Sequence, residues 1–272
     1  MNMLKILLAA FFIINQTYAA EPCSGAKGKR HPNGGGFVAD TASVSSFAYI
    51  APSASICDHA SVHDTANVLD NAQVGGKAEL YGNVMVYGDA KVFEQAVLRN
   101  YVAVGGKAKV FGHAKILGNA HIFNNASISG QARIDGHSKI YGYAQIFDNA
   151  RIDNAAHIYG NAKVHGDAEV FEGALVHGSA DVLDEASIHG EAEINGSAIV
   201  SSKAQIYDEA RVCFGNVDAT VTEDICTIQS EAQTDTSLAA QNISDRARDV
   251  SLIMNEKSMP RDLGLKEESI SR

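Results

Sequence analysis

The sequence predicts an all-β chain: a single-stranded parallel β-helix of about ten triangular coils, followed by a short C-terminal helix. Three observations predict it. A six-residue repeat runs through residues 42–215 almost without error. The composition is that of a narrow interior, since 40 of the 272 residues are Ala, Trp is absent and there are only four Pro. Ordinary cores mix Leu, Ile, Val and Phe of different sizes. Finally, each repeat closes on a residue type that turns a chain.

The first element, residues 1–19, reads as a signal peptide. It has one Lys (Lys5), an apolar run from Ile6 to Ile14, and Thr17 and Ala19 as small residues before a cleavage point. The run is too short for a comfortable membrane span. Cys23 follows Ala20, Glu21 and Pro22, which is not a lipoprotein signal. Nothing later approaches eighteen consecutive apolar residues, so the mature chain is expected to be secreted or periplasmic, with no transmembrane segment. Residues 20–41, with the turn-rich run His31–Gly36, are expected to cover the first coil as an N-terminal cap, because an uncovered end of a stack of parallel ladders invites end-to-end growth.

The repeat itself is A-x-[VI]-x-[GDN]-x. From Ala42 to Ala210 every sixth residue is small: 26 of 29 are Ala, the exceptions being Val84, Val102 and Ser138. Two residues later all 29 are Val, Ile or Leu, and two further on 23 of 29 are Gly, Asp or Asn. Residues two apart share one face of a strand. Gly, Asp and Asn accept positive φ or bond their own backbone at a corner. Each hexad is thus a short strand and a turn, and three hexads close an 18-residue coil. At ~4.8 Å per coil the stack is roughly 46 Å tall.

Beyond the repeat, residues 216–256 are expected to form a C-terminal cap. Leu238, Ile243, Ala247, Val250 and Met254 fall at helical spacing and predict an amphipathic helix. Residues 257–272 read as a disordered tail. Four Cys in an exported chain predict disulfides. Cys57 and Cys213 lie nearly nine coils apart, on the order of 40 Å, far beyond the ~7 Å a bridge allows between Cα atoms. Cys57 with Cys226 would need the tail to run back along the whole stack. The expected pairs are Cys23–Cys57 and Cys213–Cys226, one at each end.

Runs such as "AKVFGHAKILGNAHIFNNASI" and "AQIYDEARV" resemble the hexapeptide-repeat (LpxA-like trimeric) superfamily, over about 174 residues. The resemblance implies a left-handed parallel β-helix, a hand opposite to the usual right-handed crossover. It also implies trimer formation. In the family's common repeat Gly directly follows the aliphatic residue, whereas here it comes one position later, a variant similar to KVYGNA-type repeat proteins. Many members are acyltransferases that use a coenzyme A thioester and a His general base, and others are zinc enzymes. His suits acid–base work at neutral pH, and the fallback pair for an acyltransferase is His157 and His177, with Tyr159 on the same face.

The residues themselves argue for a structural or binding module without a catalytic site or cofactor. Nine His lie in the repeat, none in an inward column, and no loop interrupts residues 42–215. No two of these His are 18 apart, and the zinc-enzyme partner position 162 is Ala, so no metal set is expected. The residue after the aliphatic is aromatic in 10 of 29 hexads. Tyr87, Phe123, Tyr141 and Tyr159 line one face, broken at Gly105 and continued by His177; Phe93, Phe111 and Phe147 line a second. These ladders read either as coil-stacking devices or as an interaction face. Met85, Ala103 and Leu175 flank the first ladder as outward apolar residues, so Met85, Tyr87, Phe123, Tyr141, Tyr159 and Leu175 are the candidate partner surface. A homo-oligomer, a glycan or a cell-surface protein are the candidate partners.

The net charge of −10 and pI near 5.4 exclude a basic nucleic-acid binder. Charge is nevertheless uneven. Ten acidic residues against Lys203 fill residues 166–210, while Lys91, Lys109, Lys115, Arg133, Lys139, Arg151 and Lys163 mark the central coils. Solvation accounts for both runs at this level. The acidic residues lack the ligand spacing of a Ca²⁺ site, and Thr65 alone cannot form an ice-matching array.

Overall fold

The computed structural model describes residues 22–226. Of the chain's two compact units, residues 1–225 and 226–272, the described residues fall in the first, apart from Cys226. The leader at 1–19, the helix expected near Leu238–Met254 and the tail from Lys257 lie outside the described residues.

Each hexad forms a two-residue strand and a turn, as in Lys109–Val110, Lys115–Ile116 and His121–Ile122. Within the repeat, strands three apart pair in parallel in a register 18 residues long, as with Lys109 opposite Ser127 and Val110 opposite Ile128, shortened to 17 at the last pair, where Ile199 faces Asn216. The result is an all-β parallel solenoid of about ten coils with three sheets. One sheet of ten strands runs from Ser43–Val44 to Gln205–Ile206 and another from Tyr49–Ile50 to Arg211–Val212; these are the Ser43 and Tyr49 sheets below. The third has twelve strands and ends at Asn216–Val217. Hydrogen bonds climb from coil to coil through strand and corner alike. Lys109 N–H donates to the Ala126 carbonyl at 2.9 Å, Phe111 to Ile128 at 3.0 Å and His113 to Gly130 at 2.7 Å.

The inward columns are what the repeat requires. From Ala48 to Val212 the Ala and Val/Ile/Leu positions are buried, together with Val84, Val102 and Ser138. Ser138 is tolerated because its Oγ donates to the Asp135 carbonyl at 2.8 Å, and among the described residues no buried side-chain N or O atom lacks a partner. Val84 and Val102 sit one coil apart. Just before them the strands lengthen to Glu79–Gly82 and Val97–Asn100, with Gly82 paired to Asn100. The ladder thus runs on through the two corners that precede these β-branched residues.

Every sixth residue from Asp58 to Asp208 has positive φ, including Glu94 (60°), Glu172 (62°) and Ser202 (60°), which the sequence pattern does not count as turn residues. The stack selects the backbone, and the side chain adapts. Where the corner is acidic, its carboxylate accepts the backbone N–H of the corner one coil up: Asp58 from Gly76 at 2.8 Å, Asp64 from Gly82 at 2.7 Å, Glu94 from Gly112 at 2.9 Å and Glu172 from Gly190 at 2.6 Å. That bond offsets the cost, ~1–2 kcal/mol, of a left-handed conformation in a residue with a Cβ.

At the N-terminal end Gly28–Arg30 and Phe37–Ala39 form the one antiparallel pair among the described residues, and Phe37–Val38 then pairs in parallel with Ser55–Ile56. The turn between them needs Gly34, at φ 106°, where a Cβ would fall 2.2 Å from the Ile50 carbonyl oxygen. Cys23 is bonded to Cys57 with Cα atoms 5.3 Å apart. Cys213 and Cys226 are also disulfide-bonded, and no cysteine is free. Both pairs match the expected pairing.

Candidate interaction face

The position after each aliphatic residue opens the corner turn, so its side chain lies along the corner and meets its counterpart one coil away. Rings at that position stack. Phe123, Tyr141, Tyr159 and His177 form a continuous column with centroids 4.9, 4.9 and 4.6 Å apart and planes within 4° of parallel. Tyr87 belongs to the same corner, and its ring covers Gly105, where a Cβ would fall 2.1 Å from Tyr87 Cζ. The apparent break in the ladder is therefore a packing site for the ring below it. The other corners carry Phe93–Phe111, Phe147–His165, and Phe171–His189–Tyr207 in the same geometry. Arg99 lies 4.7 Å over the Tyr81 ring, which stacks in turn on His63.

These ladder residues are half-buried. Four of the nine repeat His (His63, His165, His177 and His189) stand in ring stacks rather than free on the surface. Sequence phase places them outward but does not reveal that a flat side chain at this position stacks on the ring one coil away, as His189 does on both sides.

Beside the first ladder, the outward column of the Tyr49 sheet runs Tyr49, Asn67, Met85, Ala103, His121, Lys139, His157, Leu175, Glu193, Arg211 in direct register. Met85 and Leu175 are thus five coils apart: Ala103, His121, Lys139 and His157 separate them, and the apolar flank is not continuous. Met85 is 41% exposed, while Leu175 is half-buried.

The exposed apolar residues on this side are ones the ladder pattern misses. Phe47 is 76% and Tyr101 64% exposed, and Tyr49 also stands out. Phe47 and Tyr101 occupy the turn position just before the inward column, and Tyr49 is on the strand. With Met85 they make four of the six exposed large apolar side chains among the described residues, all on the flank of the Tyr49 sheet in the first four coils; Tyr143 and Ile199 are the others. Between them lie polar groups: Thr65 Oγ1 donates to Asn83 Oδ1 at 2.6 Å, and Asn67 Nδ2 to the Thr65 carbonyl at 2.9 Å. The signal that could have found them is an aromatic residue at a hexad position otherwise filled by polar ones.

His157 and His177 lie in different columns, and no hydrogen bond joins them among the described residues. His177 stacks on Tyr159 and its Nε2 lies 2.8 Å from Glu193 Oε1. Glu193 also accepts from Asn195 Nδ2 at 2.8 Å and from Arg211 Nε at 3.0 Å. Partial burial opposes ionisation of Glu193, but the hydrogen bonds from His177 and Asn195 and the charge of Arg211 outweigh it and hold the carboxyl below its usual range. His157 is held below the usual imidazole value by partial burial and by Lys139 one coil away. Burial, with Tyr141 and Glu193 nearby, raises Tyr159. Among the described residues no three His, Cys, Asp or Glu side chains converge as metal ligands.

No curated protein matches the chain. A family model described as "YdcK Beta solenoid repeat" matches residues 144–160, a segment spanning strands Gln145–Ile146, Arg151–Ile152 and His157–Ile158. With the parallel coils on either side of that match, the chain is a β-solenoid repeat protein.

Proposed function

We propose that the protein is an exported β-solenoid that serves as a rigid interaction scaffold, and that its partner surface is the flank of the Tyr49 sheet around Met85. The observation that carries this reading is the gathering of Phe47, Tyr49, Met85 and Tyr101 in the first four coils. Exposed apolar side chains gathered on one face mark association surfaces. The ladder rings Tyr87, Phe123, Tyr141 and Tyr159 act behind them as the stiffening that keeps the face in shape. Export is supported by the leader-like residues 1–19 and by a disulfide at each end of the repeat. The resemblance to the hexapeptide-repeat superfamily makes a second copy of the chain the first partner to test, as a trimer. Sedimentation of the wild type against Phe47→Ser/Met85→Ser/Tyr101→Ser tests the reading. A wild-type oligomer, or binding to a glycan array, that the triple variant loses supports it. A variant that keeps every association of the wild type refutes it.

A second reading has one observation in its favour: the His177–Glu193 pair is the arrangement in which a carboxylate orients an imidazole for proton transfer. It would make the protein a coenzyme A-dependent acyltransferase. Titration with acetyl-coenzyme A decides it, since absence of heat at millimolar ligand leaves the pair as a structural hydrogen bond.

A further inference from the structure

The outward column of the Ser43 sheet brings Lys115, Arg133 and Arg151 into direct register on three consecutive coils. Like charges facing one another across a ladder are unfavourable, and this chain is acidic overall, with 32 Asp and Glu against 22 Lys and Arg. The same column shows the favourable alternative one step on, where Arg151 faces Glu169 and pairs with it at 3.1 Å. Arg133 is answered only from its own strand end, by Asp135 at 2.7 Å, and Lys115 has no ion pair among the described residues. The three cations also border a groove. Its volume is about 660 Å³, and its opposite wall is the turn column His113, Gln131 and Asn149. Asp167, bonded to Asn149 Nδ2 at 2.9 Å, closes the C-terminal end.

We propose that this groove binds an acidic oligosaccharide. Its cations recur once per coil, ~4.8 Å apart, and can meet carboxylate or sulfate groups along an extended chain. The imidazole and amide wall supplies the donors and acceptors that sugar hydroxyls require. No Phe, Tyr or Trp lines the groove, so a single-stranded nucleic acid would lack the row of large stacking rings that such ligands use. This groove lies on a different sheet from the Met85 flank and is independent of the scaffold reading; each surface has its own variants.

The test is calorimetric titration of the full chain with a short oligogalacturonate and with a heparin-derived oligosaccharide of similar length. A neutral malto-oligosaccharide and an oligothymidylate serve as comparisons. Saturable binding of at least one acidic sugar is expected, weakened by added salt. Lys115→Gln/Arg133→Gln/Arg151→Gln should weaken it by on the order of tenfold or more, with Tm little changed, because relief of the like-charge ladder offsets loss of the exposed Arg133–Asp135 and Arg151–Glu169 pairs. Lys91→Gln/Lys109→Gln, on the twelve-stranded sheet, should leave binding intact. Three results overturn the proposal: no saturable binding of either acidic sugar, equal loss in the two variants, or tighter binding of the oligothymidylate. A triple variant that loses Tm but keeps its affinity assigns the residues to stability and likewise overturns it.

Discussion

Tyr141→Ala removes the ring at the centre of the longest aromatic column. Tyr141 stacks on Phe123 on one side and on Tyr159 on the other, each at 4.9 Å. Two such pairs contribute ~1–3 kcal/mol beyond the area they cover. The ring is half-buried, so roughly half of its ~200 Å² returns to water, worth about 2 kcal/mol more. Partial collapse of the neighbouring rings recovers some of this, and the expected loss is about 2–4 kcal/mol. Tyr141→Phe should cost little, because the stack uses the ring face. Tyr141→His should fall between, since His177 already stacks on Tyr159 at 4.6 Å in the same column. The assay is urea unfolding followed by circular dichroism, combined with hydrogen exchange on the coils around residue 141. A repeat array unfolds as a sum of neighbour terms, so the loss should be local. If Tyr141→Ala falls within about 0.5 kcal/mol of the wild type, the ladder is not a stacking device and the reasoning fails.

Gly105→Ala forces a Cβ into the Tyr87 ring, at 2.1 Å from Cζ; we expect a loss of about 1–3 kcal/mol and a changed Tyr signal in near-ultraviolet dichroism, and an unchanged signal would refute the packing argument. Glu172→Ala keeps the positive φ and loses the bond to Gly190 N–H, so it should cost about 1–2 kcal/mol, whereas Glu172→Gly should recover about half; equal effects, or no faster exchange at the Gly190 amide, would contradict the carboxylate-cap account. Acid should destabilise the fold in two windows. His157 has a folded value below 6.5, so its contribution is complete above pH 6.5 and declines as the unfolded chain protonates first. Glu193 has a folded value below 4.5, so its contribution is present above pH 4.5 and is lost as pH falls through the folded value. Profiles of Tm against pH should flatten in the upper window for His157→Gln and in the lower one for Glu193→Gln, and the reverse assignment would refute both causes. Cys23→Ser/Cys57→Ser opens a 34-residue loop and should cost about 4 kcal/mol, read as fraying of the first coil in hydrogen exchange.

The hexad was legible because it is a period of the backbone itself. An Ala at every sixth position, an aliphatic two residues later and a corner residue two after that fix strand, turn and coil length together. The disulfide pairs followed from coil arithmetic alone. The corners at Glu94, Glu172 and Ser202 show the limit of residue-type reasoning. Their positive φ is imposed by the coils above and below, and the acidic side chains repay it with a hydrogen bond to a residue 18 positions away. The candidate surface was half legible. Met85 was visible as an apolar residue at an outward phase, but Tyr141 and Tyr159 looked equally outward and are half-covered by each other.

The sequence by itself determined the coil: its length, its inward columns and most of its corners, set by the six-residue repeat, and the staples at its ends, set by where the cysteines fall in the count of coils. Only the tertiary structure decided what the outside of the coil does. Exposure depends on what the coils above and below place over a side chain, and charge depends on which residues share a register. Stacking buried the rings that looked exposed, left Phe47 and Tyr101 bare, and aligned Lys115, Arg133 and Arg151 along one groove.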